Sequence, residues 1–280
     1  MGQVTTIIIG SETNLGSALM QRVDGQVGIS STLHAVDGAT VNGESFASRV
    51  ERLVADHPEA LVVVALSPDD AKASAVSYLV DGPRWVQLSD AQLDQPEPRP
   101  RGEIARSTEG EVLSRGGLVL RATTIFGGGN DETITRVMRQ IRVWRFPVAV
   151  GSPSRRLQPF HIDDLAGLLQ SLARGERHSG RFSIGGERSV YVGALLAEIS
   201  DVLGIRTAPV TLTAAAATLS SRWAQLFARE DPGELWSIAG DELVDDHEAR
   251  VTLGWAPESL SSRLEQAAIE AGVLRPEPAA

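Results

Sequence analysis

A short apolar run near the start of the chain leads into a glycine-containing turn and then into a helical pattern. Residues 4–9 are rich in β-branched side chains, as in a buried parallel strand, and Leu15, Leu19 and Val23 recur at helical spacing. Glycine in such a turn permits a sharp bend and a close approach of phosphate to the backbone, and the helix offers its N–H groups to the phosphate. We therefore predict that this turn holds the pyrophosphate of a dinucleotide. The residues predicted to hold it are Gly10, Ser11, Thr13, Asn14, Leu15 and Gly16.

The glycine pattern is incomplete, because Thr13 stands where the dinucleotide fingerprint has its middle glycine. An ordinary strand-to-helix turn is therefore the alternative interpretation. If the turn binds a phosphate, Gly16→Val should abolish binding by filling the space that the phosphate needs.

The second predicted strand, residues 26–31, ends without the acidic residue that usually binds the adenosine ribose hydroxyls. Ser30, Ser31 and Thr32 stand there instead, and three hydroxyl groups can bond to a ribose phosphate without repelling it. We therefore expect NADP(H) to be preferred, with NAD(H) possible. Hydroxyls that are merely solvated are the alternative interpretation.

Strand and helix patterns alternate up to residue 127, which predicts an α/β fold of the Rossmann type with a doubly wound parallel sheet. Further strands are predicted at residues 61–66, 84–88 and 118–122. Ligands bind at the carboxyl ends of the strands in such a sheet. The residues expected there are Leu66, Ser67 and Ala122 for the cofactor, Thr123 and Phe126 for the substrate, and Ser89 and Asp90 for catalysis. Which of Ser89 and Asp90 faces the substrate carbonyl stays open.

The pattern is less regular after residue 127. We predict a dinucleotide-binding core over residues 1–127 and a mainly substrate-binding lobe over residues 128–280, with segments that return to the core. Trp223 and Phe227 lie on a predicted helix at residues 214–228, which we expect to cover the substrate as an apolar lid. The alternative is that both rings lie in the core of the lobe.

Composition excludes several classes of function. A net charge of −10 and an isoelectric point near 5.0 argue against nucleic acid or an anionic membrane as partner. No apolar run is long enough to span a membrane, so we expect a cytoplasmic protein. The absence of cysteine excludes disulfides and thiolate ligands. The five histidines are scattered along the chain without metal-ligand spacing, so we expect no metal site. We expect a small aromatic molecule as partner, with monomer and homodimer both open.

Several stretches resemble the extended short-chain dehydrogenase/reductase family, which includes the nucleotide-sugar epimerases. They occur in the family's order, so the resemblance implies the family's fold and a bound NAD(P). The stretches are Leu118-Val-Leu-Arg-Ala-Thr-Thr-Ile-Phe-Gly127, Gln158-Pro-Phe-His-Ile-Asp-Asp-Leu-Ala166, Arg181-Phe-Ser-Ile-Gly-Gly186, residues 192–204 and Val251-Thr-Leu-Gly-Trp-Ala-Pro257. Within them we expect structural roles for Arg121, for Asp164 at a helix start and for Trp255 in the core.

The resemblance also shows what this chain lacks. The family's reductases carry a Tyr-x-x-x-Lys pair on the helix before the Arg121 strand, where tyrosine exchanges the proton and lysine holds the nicotinamide ribose. Alignment from Glu111 and Leu113 places the pair at Glu103 and Ser107, and neither residue can serve.

The pair cannot stand elsewhere in the chain. Lys72 is the only lysine, and the two tyrosines, Tyr78 and Tyr191, are followed four residues later by Gly82 and Leu195. Any reduction must therefore obtain its proton from another source.

Three functions remain. The first is an NADP(H)-dependent ketoreductase similar to the atypical ketoreductases of phenolic, angucyclinone-like aromatic polyketides, whose substrate carries an acidic hydroxyl beside the ketone and supplies the proton. Ser89 could donate a hydrogen bond to the carbonyl, Asp90 could act as an acid only if burial kept it protonated, and His161 is expected to be structural. The alternatives are a non-catalytic, NmrA-like regulator that binds NAD(P), and an epimerase, dehydratase or cyclase acting on a sugar or a polyketide.

Overall fold

Helices and parallel strands alternate through the first part of the chain, as the sequence pattern predicts. The structure is a computed structural model. It describes residues 5–11, 13–24, 26–29, 46–65, 84–94, 102–129, 131, 133–145, 148–150, 152–205, 210–212 and 240–275. The predicted helix at residues 214–228 lies outside these ranges.

The described strands are numbered in chain order. They are β1 Thr6–Ile9, β2 Gln26–Ile29, β3 Leu61–Val64, β4 Arg84–Asp90, β5 Leu118–Ala122, β6 Ile125–Phe126, β7 Val148–Val150, β8 Arg156–Leu157, β9 Phe160–His161, β10 Gly180–Ile184, β11 Val190–Tyr191 and β12 Val210–Leu212.

The described helices are numbered in the same way. They are α1 Asn14–Met20, α2 Phe46–Asp56, α3 Gly102–Ser114, α4 Ile134–Trp144, α5 Ile162–Arg174, α6 Val192–Val202, α7 His247–Leu253 and α8 Leu260–Glu270, with a 3₁₀ turn at Ala91–Asp94. Among them, none combines the length and the apolar character that crossing a bilayer requires.

Six parallel strands form one sheet, in the order β2-β1-β3-β4-β5-β10. Every residue of β1 and β3 is buried, as in strands that are covered on both faces. The chain passes from β1 outward to β2 and returns to β3 on the other side of β1, so the strand order reverses between β1 and β3. This is the doubly wound arrangement, and the predicted Rossmann-type α/β fold is confirmed.

Two strands differ from the sequence prediction in ways that affect the site. β4 continues beyond the predicted residue 88, so Ser89 and Asp90 are strand residues that pair with Arg121 and Ala122 of β5. β10, which follows the less regular part of the chain, pairs with β5 as the edge strand of the main sheet. Its residue pattern could show that it is a strand but not which strand it would join.

The chain divides into two compact units. The first contains the described residues up to Ala122 together with Ile162–Ile184 and Val244–Ala256. The second contains those of Thr123–His161, of Gly185–Leu243 and from Pro257 onward. The first boundary falls where β5 ends, earlier than the predicted residue 127, and two later segments belong to the first unit.

One buried cluster of the first unit is formed by one face of the sheet and by two helices. Residues two apart in the same strand point to the same face, and α2 and α3 add their apolar sides. The members of this buried cluster are Ile7, Ile9, Val50, Val54, Ala60, Val62, Val64, Trp85, Val112 and Val119. Trp255, predicted to be a core residue, is 3% exposed.

The second unit has a core of its own, built mainly by α4, α6 and α8. Its cluster consists of Phe126, Ile134, Val137, Met138, Ile141, Leu157, Val190, Val192, Leu195, Leu196, Ile199, Leu203, Ile205, Leu260, Leu264, Ala267 and Ala268. The spacing of apolar residues in the sequence predicts helices at residues 132–143, 192–203 and 260–271. These agree with the three elements within two residues.

Three consecutive glycines follow β6 in the second unit, and Gly127, Gly128 and Gly129 all have positive φ. The Gly127 N–H donates to Asp131 Oδ2 at 3.0 Å, and the Gly128 N–H donates to Glu270 Oε2 at 2.7 Å. A Cβ at Gly127, where φ is 97°, would overlap the His161 ring. Glycine at 127 is therefore required both by its backbone angle and by its neighbour.

Gly127→Ala should lower the free energy of unfolding by about 2–5 kcal/mol, since the positive φ costs about 1–2 kcal/mol and the overlap with His161 about 1–3 kcal/mol. The matched change is Gly110→Ala on the exposed side of α3, where a Cβ meets nothing within 4 Å. That change should raise the same free energy by about 0.5–1 kcal/mol. Urea denaturation of both variants measures the difference, and equal effects would show that Gly127 is not constrained as described.

Candidate functional site

The turn between β1 and α1 is held together by the side chain of Thr13. Gly10 has a φ of 88°, in the left-handed region that favours glycine, and Thr13 is the N-cap of α1. The Thr13 hydroxyl accepts a hydrogen bond from the Gly16 N–H at 2.9 Å. It also lies within donating distance of the carbonyl oxygens of Gly10, at 2.8 Å, and of Ala65, at 3.1 Å. Thr13 therefore caps the helix and joins the turn to the end of β3.

This geometry explains why the chain has no middle glycine. The backbone of Thr13 is extended, with φ −70° and ψ 158°, so the position does not require glycine. A side chain is tolerated there, and a hydroxyl at that place satisfies a helix N–H that would otherwise need another partner.

Gly16 has a different role from the predicted one. A Cβ at this position would overlap the carbonyl group of Gly10 and would come within 3.0 Å of the Ser11 Cα. The reason given for Gly16→Val is therefore wrong, because the space beside Gly16 is filled by the backbone of the turn and not by a phosphate. Valine would push α1 away from the turn, and any loss of cofactor binding would follow from that displacement.

The turn lies at the topological switch point of the sheet. Gly10 follows β1 and Ala65 follows β3, and the strand order reverses between these two strands. Open α/β sheets bind ligands at this place. Ser11 and Leu15 are half-buried and Asn14 is exposed, so the turn residues predicted from the sequence are brought together, with part of their surface open to a ligand.

The other predicted contacts divide into two groups. Ala122 lies at the carboxyl end of β5, where it pairs with Asp90 on one side and Ile184 on the other, and it is 7% exposed. Seven other predicted residues fall outside the described residues. They are Ser30, Ser31, Thr32, Leu66, Ser67, Trp223 and Phe227.

Ser89, one of the two predicted catalytic residues, is bonded to a buried carboxylate. Its hydroxyl donates to Glu109 Oε1 at 2.7 Å. Arg121 donates to the same carboxylate through Nε, at 2.9 Å from Oε1, and through Nη2, at 2.7 Å from Oε2. The half-exposed Arg181 adds a fourth contact, with Nε 3.2 Å from Oε2. The expected structural role of Arg121 is thus confirmed, and its partner is Glu109.

Glu109 was missed by the sequence analysis, which aligned α3 on Glu111. Glu111 is exposed and Glu109 is fully buried. An alignment on the residue that pairs with Arg121 moves the Tyr-x-x-x-Lys positions to Arg101, which lies outside the described residues, and to Ala105. Neither residue is a tyrosine or a lysine, so the conclusion that the pair is missing is unchanged.

A signal for Glu109 was present in the helical spacing. The buried residues of α3 include Ala105, Thr108, Glu109 and Val112, which recur at intervals of three and four. Glu111 lies off this stripe. The phase of the helix therefore identifies the residue that can meet a buried arginine.

Asp90, the other predicted catalytic residue, is half-buried at the end of β4. Its Oδ1 accepts the N–H of Gln92 at 2.7 Å, which starts the 3₁₀ turn. Both predicted catalytic residues thus stand at the carboxyl end of one strand, as expected, and both also make bonds that hold the local structure.

The predicted substrate contacts in the second unit are packing residues. The Phe126 ring is fully buried in the apolar cluster of that unit and meets the His161 ring edge-on, with 5.3 Å between the centroids. The Thr123 hydroxyl is buried and donates to the Gln158 carbonyl oxygen at 2.6 Å. The end of a strand was a poor guide here, because it does not show which side chains pack over it. Phe126 is thus a core residue of the second unit, and its contact with a substrate stays a prediction.

His161 is fully buried in the second unit, with Nε2 3.6 Å from Glu270 Oε2. Its ring also lies against Gly127. This burial agrees with the expectation that His161 is a structural residue. Within the part of the chain that the structure describes, no group of three or more metal-binding side chains occurs.

No protein-family profile matches the sequence, and no curated protein matches it significantly. Solved structures, in contrast, match over nearly the whole length. A dTDP-glucose 4,6-dehydratase from Bacillus anthracis in complex with NAD is 11% identical, with 96% of this chain and 97% of that chain covered and a TM-score of 0.71.

Two reductases match in the same way. A GDP-mannoheptose C4 reductase from Campylobacter jejuni with NADP bound is 12% identical, with 97% and 99% covered and a TM-score of 0.67. A dTDP-4-dehydrorhamnose reductase from Bacillus anthracis in complex with NADP is 16% identical, with 96% and 99% covered and the same TM-score. At these identities the similarity establishes a shared fold.

Glu109→Gln should lower the free energy of unfolding by about 3–5 kcal/mol, because a buried Arg121 then lacks its anion. Glu111→Gln, an identical change two residues away on the exposed side of the same helix, should alter it by about 0.5 kcal/mol or less. Thermal and urea denaturation of both variants measure the contrast. If Glu111→Gln is the more damaging change, the phase of α3 is wrong.

Proposed function

We propose that this chain is an NADP(H)-dependent ketoreductase that acts on a phenolic aromatic polyketide ketone of the angucyclinone type. One observation carries the dinucleotide-dependent part of the proposal: a capped glycine turn lies at the switch point of the sheet, in a fold shared over nearly the whole chain with enzymes solved with NAD or NADP. The sequence resemblance to extended short-chain dehydrogenases/reductases supports the same assignment.

The turn offers the groups that a dinucleotide requires. The backbone of Gly10, Ser11, Asn14 and Leu15 would hold the pyrophosphate, and the fixed position of Gly16 keeps α1 close to it. A bound dinucleotide would supply the hydride. The chain's task is then to orient the ketone at the carboxyl ends of β4 and β5.

NADPH should bind more tightly than NADH, since three hydroxyls and no carboxylate follow the second strand. Ser31→Asp, which places a carboxylate among them, should reverse the order by repelling the ribose phosphate. Ser114→Asp adds the same charge at an exposed position on α3 and should leave the order unchanged. Titration calorimetry measures all three proteins, and tenfold tighter binding of NADH, about 1.4 kcal/mol, would refute the NADP preference.

The proton is the unusual part of the proposed reaction. Hydride addition to the carbonyl carbon produces an alkoxide that must gain a proton, and no tyrosine–lysine pair exists in the sequence. Tyr191 is 54% exposed in the second unit, where Arg156 lies over its ring. We propose that a phenol beside the ketone gives its proton to the carbonyl oxygen, and that water later reprotonates the resulting phenolate.

A substrate analogue with the adjacent hydroxyl methylated should be reduced about 10²–10⁴-fold more slowly, the usual loss when a general acid is removed. Tyr191→Phe and Ser89→Ala should each lose about tenfold or less with the unmodified substrate, as for one positioning hydrogen bond. Both are measured by the loss of NADPH absorbance. If the methylated analogue binds as before and reacts at an unchanged rate, the acid belongs to the protein.

A non-catalytic regulator is the second candidate, because the missing Tyr-x-x-x-Lys pair would also suit a protein that only binds NAD(P). Such a protein binds NADPH in the calorimeter and reduces no ketone. An epimerase or dehydratase would instead convert its substrate without net consumption of NADPH, so product analysis separates it from a reductase.

A further inference from the structure

The bond between Ser89 and Glu109 has a fixed direction. Glu109 is fully buried. Its Oε1 accepts a hydrogen bond from Arg121 Nε, and its Oε2 accepts one from Arg121 Nη2 and lies 3.2 Å from Arg181 Nε. A carboxylate held by two guanidinium groups can only accept hydrogen bonds. The hydrogen between Ser89 and Glu109 must therefore come from the serine.

This direction limits what Ser89 can offer to a ligand. A hydroxyl has one hydrogen and two lone pairs, and the hydrogen of Ser89 is held by Glu109 at 2.7 Å. The residue is half-buried at the carboxyl end of β4, the end of the sheet at which open α/β folds bind their ligands. Toward a ligand it presents lone pairs alone.

Asp90, the next residue, is also a hydrogen-bond acceptor. Asp90 is also half-buried, and one of its carboxylate oxygens already accepts the N–H of Gln92. A carboxylate, like the Ser89 oxygen, is an acceptor. The end of β4 therefore suits a group that donates a hydrogen bond, and it is poorly suited to the oxygen of a ketone.

We infer that Ser89 is a specificity-determining residue that accepts a hydrogen bond from a hydroxyl group of the substrate. This inference rests on the proposed function in one respect, that the ligand at this end of β4 is the substrate of the reductase. A ketone whose own neighbouring phenol bonds to its oxygen needs no donor from Ser89. The substrate then carries a second hydroxyl, distant from the ketone, which Glu109 selects through Ser89.

The test compares two probes that differ only in the donor hydrogen. They are β-hydroxyanthraquinone, whose hydroxyl is too far from the carbonyls to bond to them, and its methyl ether. Binding of each to the full chain in the presence of NADP⁺ is measured by fluorescence titration. The wild type should bind the phenol about three- to tenfold more tightly, which is the range for one hydrogen bond. Ser89→Ala should bind the two within about twofold of each other, because the acceptor is gone.

Two control variants separate this role from a structural one. Ser89→Thr keeps the hydroxyl and should keep the preference, and so should Ser114→Ala, the same truncation at an exposed serine of α3. Each ratio is taken within one variant, so partial unfolding affects both probes equally. The inference is overturned if Ser89→Ala weakens both probes by the same factor, or if the wild type binds neither probe or shows no preference.

Turnover is measured separately with NADPH. A preserved phenol preference without reduction of any ketone refutes the proposed ketoreductase and leaves the acceptor role of Ser89 standing. Reduction without the preference refutes the acceptor role alone.

Discussion

A carboxylate with no exposure to solvent, Glu109, determines the arrangement at the carboxyl ends of the central strands. Burying a charge costs several kcal/mol unless an opposite charge neutralises it and hydrogen-bond donors pair with its oxygens. Here Arg121 and Ser89, from neighbouring strands, supply the opposite charge and the donors. The ion pair thereby joins α3 to β4 and β5. The position of Ser89 is fixed by this structural pair and needs no tyrosine beside it.

The glycine turn follows the same principle on a smaller scale. Thr13 uses its hydroxyl to satisfy the Gly16 N–H and to reach two carbonyl oxygens, so the turn keeps its shape without a middle glycine. At both places the chain commits a hydroxyl to its own polar groups. What remains for a ligand is backbone at the turn and lone pairs at the end of β4, and this division is what distinguishes the two parts of the proposed site.

The sequence allowed most of the fold to be predicted and much less of the site. Continuous runs of apolar residues located β1, β3, β4 and β5, because a strand that is buried on both faces has apolar side chains at successive positions. The alignment started from Glu111 and passed over Glu109, the partner of Arg121 two residues earlier, because an acidic side chain is identified as buried only from the helical phase. Phe126 stands at a strand end in the sequence, and only the packing of the second unit shows that its ring is internal.

The edge strand of the main sheet has a consequence for how the protein is made. Leu118 of β5 pairs with Gly180 of β10, so the sheet lacks its edge strand until the chain between these residues has been synthesised. Every residue of β5 is buried in the folded protein. Until β10 is made, one edge of β5 has no strand beside it and could pair with another nascent chain. Contacts this distant in sequence also slow folding. The first unit is therefore completed late in synthesis, because residues 123–161 of the second unit are made after β5 and before β10.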